Sequence, residues 1–213
     1  MEDVKQLEKQ RLRALLKKKR STLIPQERIT RSVIICDKVR SQAWWREART
    51  VHIYCAFGTE VQTGCLIQSA FAERKEVIVP LVSQVVSQAS NLLEHYVITP
   101  QTCFEPDAFG IPSPVHDKTV VAITANEMRC DCVIVPLLGF DAVCNRIGYG
   151  KGYYDRFLST LLSKTHTKPY LVGLAFQCQF VEQGIHAETH DIRLDAVITE
   201  HDVMQGASQR DFA

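Results

Sequence analysis

The chain has 213 residues, 46% hydrophobic and 23% charged, with a formal net charge of +1. That length can bury a sizeable core, and the near-neutral balance excludes a polyanion binder working through its whole surface, so no nucleic-acid partner is expected. No stretch approaches the ~18 apolar residues of a membrane span, the N-terminus lacks a signal-peptide apolar core, and Glu2, Asp3 and Glu8 do not suit a transit peptide; a cytoplasmic protein without a membrane partner is expected.

Residues 3–20 read as a basic amphipathic helix. Val4, Leu7, Leu12, Leu15 and Leu16 can face inward, with Lys5, Lys9, Arg11, Arg13, Lys17, Lys18, Lys19 and Arg20 outside. Its charge suits either a solvated face or an arm whose cations reach a polyphosphate. Pro25 belongs in the first turn of a second helix, 26–43, with Ile29, Val33, Ile34 and Val39 as its apolar positions. Residues 50–56, rich in β-branched and aromatic side chains, form the first strand. The chain turns through 57–60, Thr63 caps a helix carrying Leu66, Ile67, Ala70 and Phe71, and 76–82 is a second strand. This βαβ unit puts Glu60 on the rim beyond the strand ends, where such sheets bind ligands.

Residues 92–98 alternate as a strand does. Prolines at alternate positions in 109–114 remove N–H donors, which predicts an ordered loop over one edge. A short helix is expected over 120–127. The apolar run 133–138 reads as a buried parallel strand, followed by a polar turn over 141–146. Gly148, Gly150 and Gly152 then surround Lys151, and Phe157, Leu158, Leu161 and Leu162 continue at helical spacing over 153–163.

Strand, glycine-rich turn and helix form an arrangement that holds phosphate, because bare N–H groups and a helix N-terminus face the anion. The segment is not a Walker A loop, since Asn145 stands at the first glycine and Gly152 at the Ser/Thr; nor is it a Rossmann fingerprint, whose third glycine would fall at Tyr153. By itself it reads as an anion-binding turn or simply a tight turn, with Arg146 and Lys151 favouring the anion. Asp155 complements the helix dipole or holds Mg²⁺. Residues 169–176 form a further buried strand and 183–194 carry His190 and Asp191. Residues 196–199 make a last short strand, and the final dozen residues fray. The eight cysteines include no C-x-x-C pair, which predicts reduced thiols, with Cys130 and Cys132 on one strand face.

The run from Asn145 to Arg156, NRIGYGKGYYDR, resembles the signature of the 5-formyltetrahydrofolate cyclo-ligase family. Lys9 and Arg13 resemble its Lys-x-x-x-Arg pair, Cys55 to Glu60 its first-strand end, and residues 109–114 its G-I-P-E-P loop. Residues 171–176 with His190, Asp191, Asp195 and Glu200 resemble its closing segment. The likeness spans nearly the whole chain, and so implies one domain over 1–213. It also implies an α/β fold with a mostly parallel, Rossmann-like sheet flanked by helices, close to sugar-phosphate isomerases and CoA transferases.

The activity so implied is an ATP-dependent ring closure in one-carbon metabolism. ATP phosphorylates the formyl oxygen of 5-formyltetrahydrofolate, N10 attacks the activated carbon, and 5,10-methenyltetrahydrofolate, ADP and phosphate leave. Carried over, the resemblance makes Arg146 and Lys151 catalytic. It gives Lys9, Arg13, Arg146, Ile147, Gly148, Tyr149, Gly150, Lys151, Gly152, Tyr153 and Tyr154 to ATP. Arg13, Cys55, Glu60, Tyr149, Gly150, Lys151, Gly152 and Tyr153 go to the folate, with Glu60 toward the pterin N–H groups. Asp155 and Asp191, with Asp195 close by, are the implied Mg²⁺ ligands, and the state expected is a monomer or weak homodimer. Cys144 stands where the family commonly has glycine, Ser113 replaces the loop glutamate, and position 151 accepts several residues in the family. Two other readings compete: a non-catalytic sensor of a phosphorylated metabolite, and an ATP-dependent enzyme on another N-formyl or carboxylate substrate.

Overall fold

The computed structural model describes residues 2–82, 93–107, 110–115, 117–164, 167–188 and 191–206. Three helices come first, α1 (Glu2–Ser21), α2 (Pro25–Arg40) and α3 (Ala43–Glu47). Then follow β1 (Thr50–Ile53), α4 (Gly64–Ala72), β2 (Glu76–Val82), β3 (Leu93–Ile98), β4 (Phe104–Pro106), β5 (Pro112–Pro114) and β6 (Val121–Ile123). The second half holds β7 (Cys132–Pro136), β8 (Gly139–Phe140), β9 (Arg146–Ile147), α5 (Tyr153–Lys164), β10 (Tyr170–Leu174), β11 (Ala196–Ile198) and β12 (Val203–Gln205).

Eight strands form one sheet in the order β12-β11-β10-β7-β1-β2-β3-β6. Its centre, β11 through β2, is parallel, and β3, β6 and β12 extend the edges antiparallel. The central strands are apolar on both faces because helices cover both. Ile35, Val39, Trp45, Leu66 and Ala70 from α2, α3 and α4 pack on one face over Val51, Ile53 and Ile134. Phe157, Leu158 and Leu161 of α5 pack on the other, over Ile78, Val133 and Val135. The fold is the mostly parallel α/β sheet with flanking helices that the sequence predicts.

Several local expectations are corrected. Ile29, Val33 and Ile34 on α2 are exposed, and its buried face is Ser32, Ile35, Cys36 and Val39. The neighbouring phase wins because Ser32 can bond Gln62 N–H while the larger side chains fill the sheet. On α1, Leu16 is buried but Leu7 and Leu15 are exposed. Thr63 begins α4, yet its hydroxyl donates to the Tyr54 carbonyl at 2.6 Å instead of capping the helix. Residues 121–123 are edge strand, not helix, since β3 offers them a ladder. Pro112–Pro114 pairs with Phe104–Pro106 in a two-stranded ribbon, where missing N–H donors cost little. β12 lies within the segment expected to fray; Phe109 and His190 fall outside the described residues. Cys36 of α2 and Cys65 of α4 form a disulfide, contrary to the expectation of reduced thiols. Cys130 and Cys132 join different faces, since Cys130 precedes the strand.

α1 seats on the sheet through Leu12 and Leu16, against Leu138, Ile147, Val181 and Ile185. Gly139 makes this approach feasible: a Cβ there would lie 2.5 Å from Leu16 Cδ1 and 3.2 Å from the Gln179 carbonyl oxygen. Gly139→Ala should therefore cost about 1–3 kcal/mol of stability by overpacking. Thermal unfolding measures this, and an unchanged midpoint would show that α1 is not held at this point.

Candidate active site

Beyond the carboxyl ends of the parallel strands the chain gathers most of the residues singled out above. The exit of β1 leads through Cys55 to the turn 57–60, and the exit of β7 leads to the β8–β9 hairpin and the glycine segment. α1 crosses here with Lys9, Arg13, Leu16 and Arg20 at successive spacings of four, three and four, which is one helix face.

Three clusters result. At the first, Glu60 is buried, 8% exposed. Its Oε1 accepts from the Tyr149 hydroxyl at 2.6 Å, and its Oε2 accepts from Phe57 N–H at 2.9 Å. Burial raises the carboxyl pKa, and the bonds from Tyr149 and Phe57 and the charge of Arg20 oppose that rise. Tyr149 Oη in turn accepts from Arg20 Nη2 at 2.7 Å. Burial first, and Glu60 second, push the Tyr149 phenol up.

At the second cluster Arg146 is buried and donates to the Ile192 carbonyl and to Asp155 Oδ1. Asp155 sits in the first turn of α5 with its side chain 32% exposed. The polar turn before Arg146 is built on Asp141, whose oxygens accept from Val143, Asn145 and Ile185 N–H. Cys144 in that turn has φ 62°, the left-handed conformation glycine adopts readily, so the cysteine keeps the dihedral a glycine would have.

At the third cluster Lys9 Nζ donates to Glu188 Oε1 at 2.7 Å and Asp191 Oδ2 at 3.1 Å. Burial disfavours the Lys9 ammonium, but those two carboxylates outweigh it and raise its pKa. Arg13 Nε donates to the Gly148 carbonyl at 3.0 Å. A Cβ on Gly150, whose φ is 92°, would stand 3.1 Å from the Arg13 guanidinium carbon. Any other residue at 150 would crowd the Arg13 guanidinium and strain the positive φ.

The remaining residues take different positions. Cys55 is partly buried and its thiol is pushed up to about 12 by burial, so it stays protonated and is no nucleophile. Ile147 packs its side chain under α1. Lys151 is exposed at the tip of the turn, with its carbonyl accepting from Arg156. Tyr153 lines a cavity of about 530 Å³ between α5 and the β3–β6 edge. Tyr154 packs inward and its buried hydroxyl makes no hydrogen bond among the described residues. Gly110 approaches Phe57, which sets the 110–114 loop beside the Glu60 turn, and Ser113 bonds back to the Ile111 carbonyl. Asp195 accepts from Leu171 N–H at the opposite end of β10, away from Lys9 and the glycine turn. Glu200 ties Arg31 of α2 to the Gln177 N–H.

The residue missed in the sequence is Arg20, placed there on an outward basic face, solvated or reaching a polyphosphate, and found 5% exposed. The signal was its place on the Lys9–Arg13–Leu16 face. Among the described residues no group of three or more His, Cys, Asp or Glu can hold a metal. Among the described residues no helix is long and apolar enough to cross a membrane.

Residues 5–200 match the model of the 5-formyltetrahydrofolate cyclo-ligase family. A probable 5-formyltetrahydrofolate cyclo-ligase of Schizosaccharomyces pombe is 30% identical over 207 residues, covering 93% of this chain and 98% of that protein. The mouse 5-formyltetrahydrofolate cyclo-ligase is 30% identical over 198 residues, covering 90% of this chain and 93% of its own. The solution structure of Aquifex aeolicus 5,10-methenyltetrahydrofolate synthetase superposes with a TM-score of 0.73 at 30% identity, covering 94% of this chain and 95% of that one.

Proposed function

This chain belongs to the 5-formyltetrahydrofolate cyclo-ligase family, and we propose from that membership how its own residues divide the work. The enzyme is a ligase that uses ATP to convert 5-formyltetrahydrofolate to 5,10-methenyltetrahydrofolate. In our reading ATP phosphorylates the formyl oxygen, N10 closes on the activated carbon, and phosphate leaves with both C–O electrons. The substrate supplies oxygen and nitrogen, so no enzyme nucleophile is required.

One observation carries the assignment of residues. Two of the four cations assigned to ATP are each held by a carboxylate assigned to metal: Lys9 by Asp191 at 3.1 Å, and Arg146 by Asp155. Mg-ATP brings the complementary charges to both pairs at once, phosphate oxygens for the cations and a divalent ion for the carboxylates. When bound, Mg²⁺ would neutralise charge on the polyphosphate. Arg146 and the N–H groups of 148–152 would face the transferring phosphoryl, with Lys151 reaching it from the exposed tip. Arg13 would lie between ATP and folate. Cys55 would offer its backbone to the folate, Glu60 its carboxylate to the pterin, and Tyr153 its ring on the edge of the cavity. We read 1–213 as one such domain, working in the cytoplasm as a monomer or weak homodimer.

The test follows the near-ultraviolet absorbance of methenyltetrahydrofolate with purified protein, 5-formyltetrahydrofolate and Mg-ATP. An ATP-dependent rise is expected. A folded sample that gives none overturns the reading.

A further inference from the structure

Building on the reading that Glu60 receives the pterin, we infer that Arg20 is a positioning residue for folate. It keeps the Glu60 carboxylate ionised and aimed by acting through Tyr149, without touching substrate. Arg20 is buried and spans three parts of the site. Nε donates to Thr59 Oγ1 at 2.9 Å in the turn carrying Glu60, Nη1 to the Leu137 carbonyl at 3.4 Å beyond β7, and Nη2 to Tyr149 at 2.7 Å. One phenol therefore links the guanidinium to Glu60, and the same fork locks the turn and the glycine segment to α1.

The need for a cation follows from burial. A carboxylate out of water becomes protonated unless charge or hydrogen bonds oppose it. The groups bearing on Glu60 are Arg20 from α1, Tyr149 from the glycine segment, and the Phe57 N–H. Tyr54 after β1 and Tyr154 of α5 also interact with it, and burial pushes both phenols well up, so they stay neutral. Lys17, also on α1, lies 5.5 Å over the Tyr149 ring. An ionised carboxylate accepts at both oxygens, and each keeps a lone pair beyond the bond it already makes. A pterin presents adjacent N–H donors that match this acceptor pair, whereas a protonated acid would set an O–H against them.

The experiment compares wild type, Arg20→Gln, Arg20→Lys and Glu60→Gln by KM for each substrate from pH 6 to 9, with circular dichroism confirming the fold. Removing the cation should raise the Glu60 pKa further, since Arg20 is one of the groups that oppose the effect of burial. Arg20→Gln should then show a KM for 5-formyltetrahydrofolate raised about tenfold at pH 7, falling back as pH rises and the carboxyl ionises. Its KM for ATP should stay unchanged, and Arg20→Lys should restore a flat profile. A carbon-13 titration of Glu60 in the unliganded protein should shift upward in Arg20→Gln. An unshifted titration, a pH-independent rise in both KM values, or the same pH-dependent loss in Arg20→Lys overturns the inference. Glu60→Gln should lose folate affinity at every pH. Wild-type folate affinity in Glu60→Gln would instead overturn the reading of Glu60 on which the inference rests, whatever the Arg20 variants show.

Discussion

Arg146→Ala should lower kcat at least about a hundredfold, the usual effect of deleting a donor aimed at developing charge. It should also destabilise the protein by roughly 1–3 kcal/mol, because a buried hydrogen-bonded cation is lost. The sequence alone suggests the kinetic loss without the structural one. The structure adds the second term: the Arg146 side chain is 4% exposed and bridges the Ile192 carbonyl to Asp155. Alanine leaves that carbonyl without its donor. Asp155 is partly hydrated, which keeps the penalty below that of a fully buried orphan charge. Arg146→Lys retains the charge without the fork, so it should recover part of the stability and less of the turnover. Steady-state turnover at saturating Mg-ATP, with thermal unfolding on the same samples, measures both. A variant with near-wild-type turnover would end the phosphate role of Arg146; one that melts as wild type would contradict its structural role.

The coupling of site to scaffold explains which features were legible in the sequence. The central strands were readable because parallel strands buried on both faces are near-continuous apolar runs, as at Val133-Ile134-Val135. The glycine segment was readable because glycine identity reports backbone directly, and Gly150 and Gly152 do take positive φ. α2 was not. Its apolar residues fall on two overlapping stripes, and only the sheet beneath decides that Ile35 and Cys36 go in while Val33 and Ile34 stay out. β6 was missed for a similar reason, since three residues with no strong period become strand only when β3 supplies a partner.

Arg20 shows a different limit. Composition near a helix C-terminus favours the solvated reading of Lys18, Lys19 and Arg20, because cations there suit the helix dipole. Burial of Arg20 depends on Glu60 and Tyr149, which the fold brings from 40 and 129 positions away. Spacing on α1 placed it on the right face, but only the fold supplied the partners.

Asp155→Asn should raise the Mg²⁺ concentration for half-maximal activity by at least about tenfold, the lower range for losing even an outer-shell partner of a metal. The fold should be retained, since an asparagine oxygen can still accept from Arg146. Asp191→Asn separates the contact with Lys9 that the structure shows from the metal role proposed for the same side chain. Asp191 accepts both from Lys9 and from the Glu188 N–H. If it were only an anchor for Lys9, its loss would weaken ATP binding without changing the Mg²⁺ requirement, because Glu188 still holds Lys9 at 2.7 Å. As a metal ligand it should instead shift the Mg²⁺ curve as Asp155→Asn does. Titrating Mg²⁺ at fixed total ATP, with activity and direct nucleotide binding read together, distinguishes the two. An unchanged curve in Asp155→Asn would remove that residue from the metal site. The pairing of Lys9 with Asp191 and Arg146 with Asp155 would then serve only to hold the site together before ATP arrives.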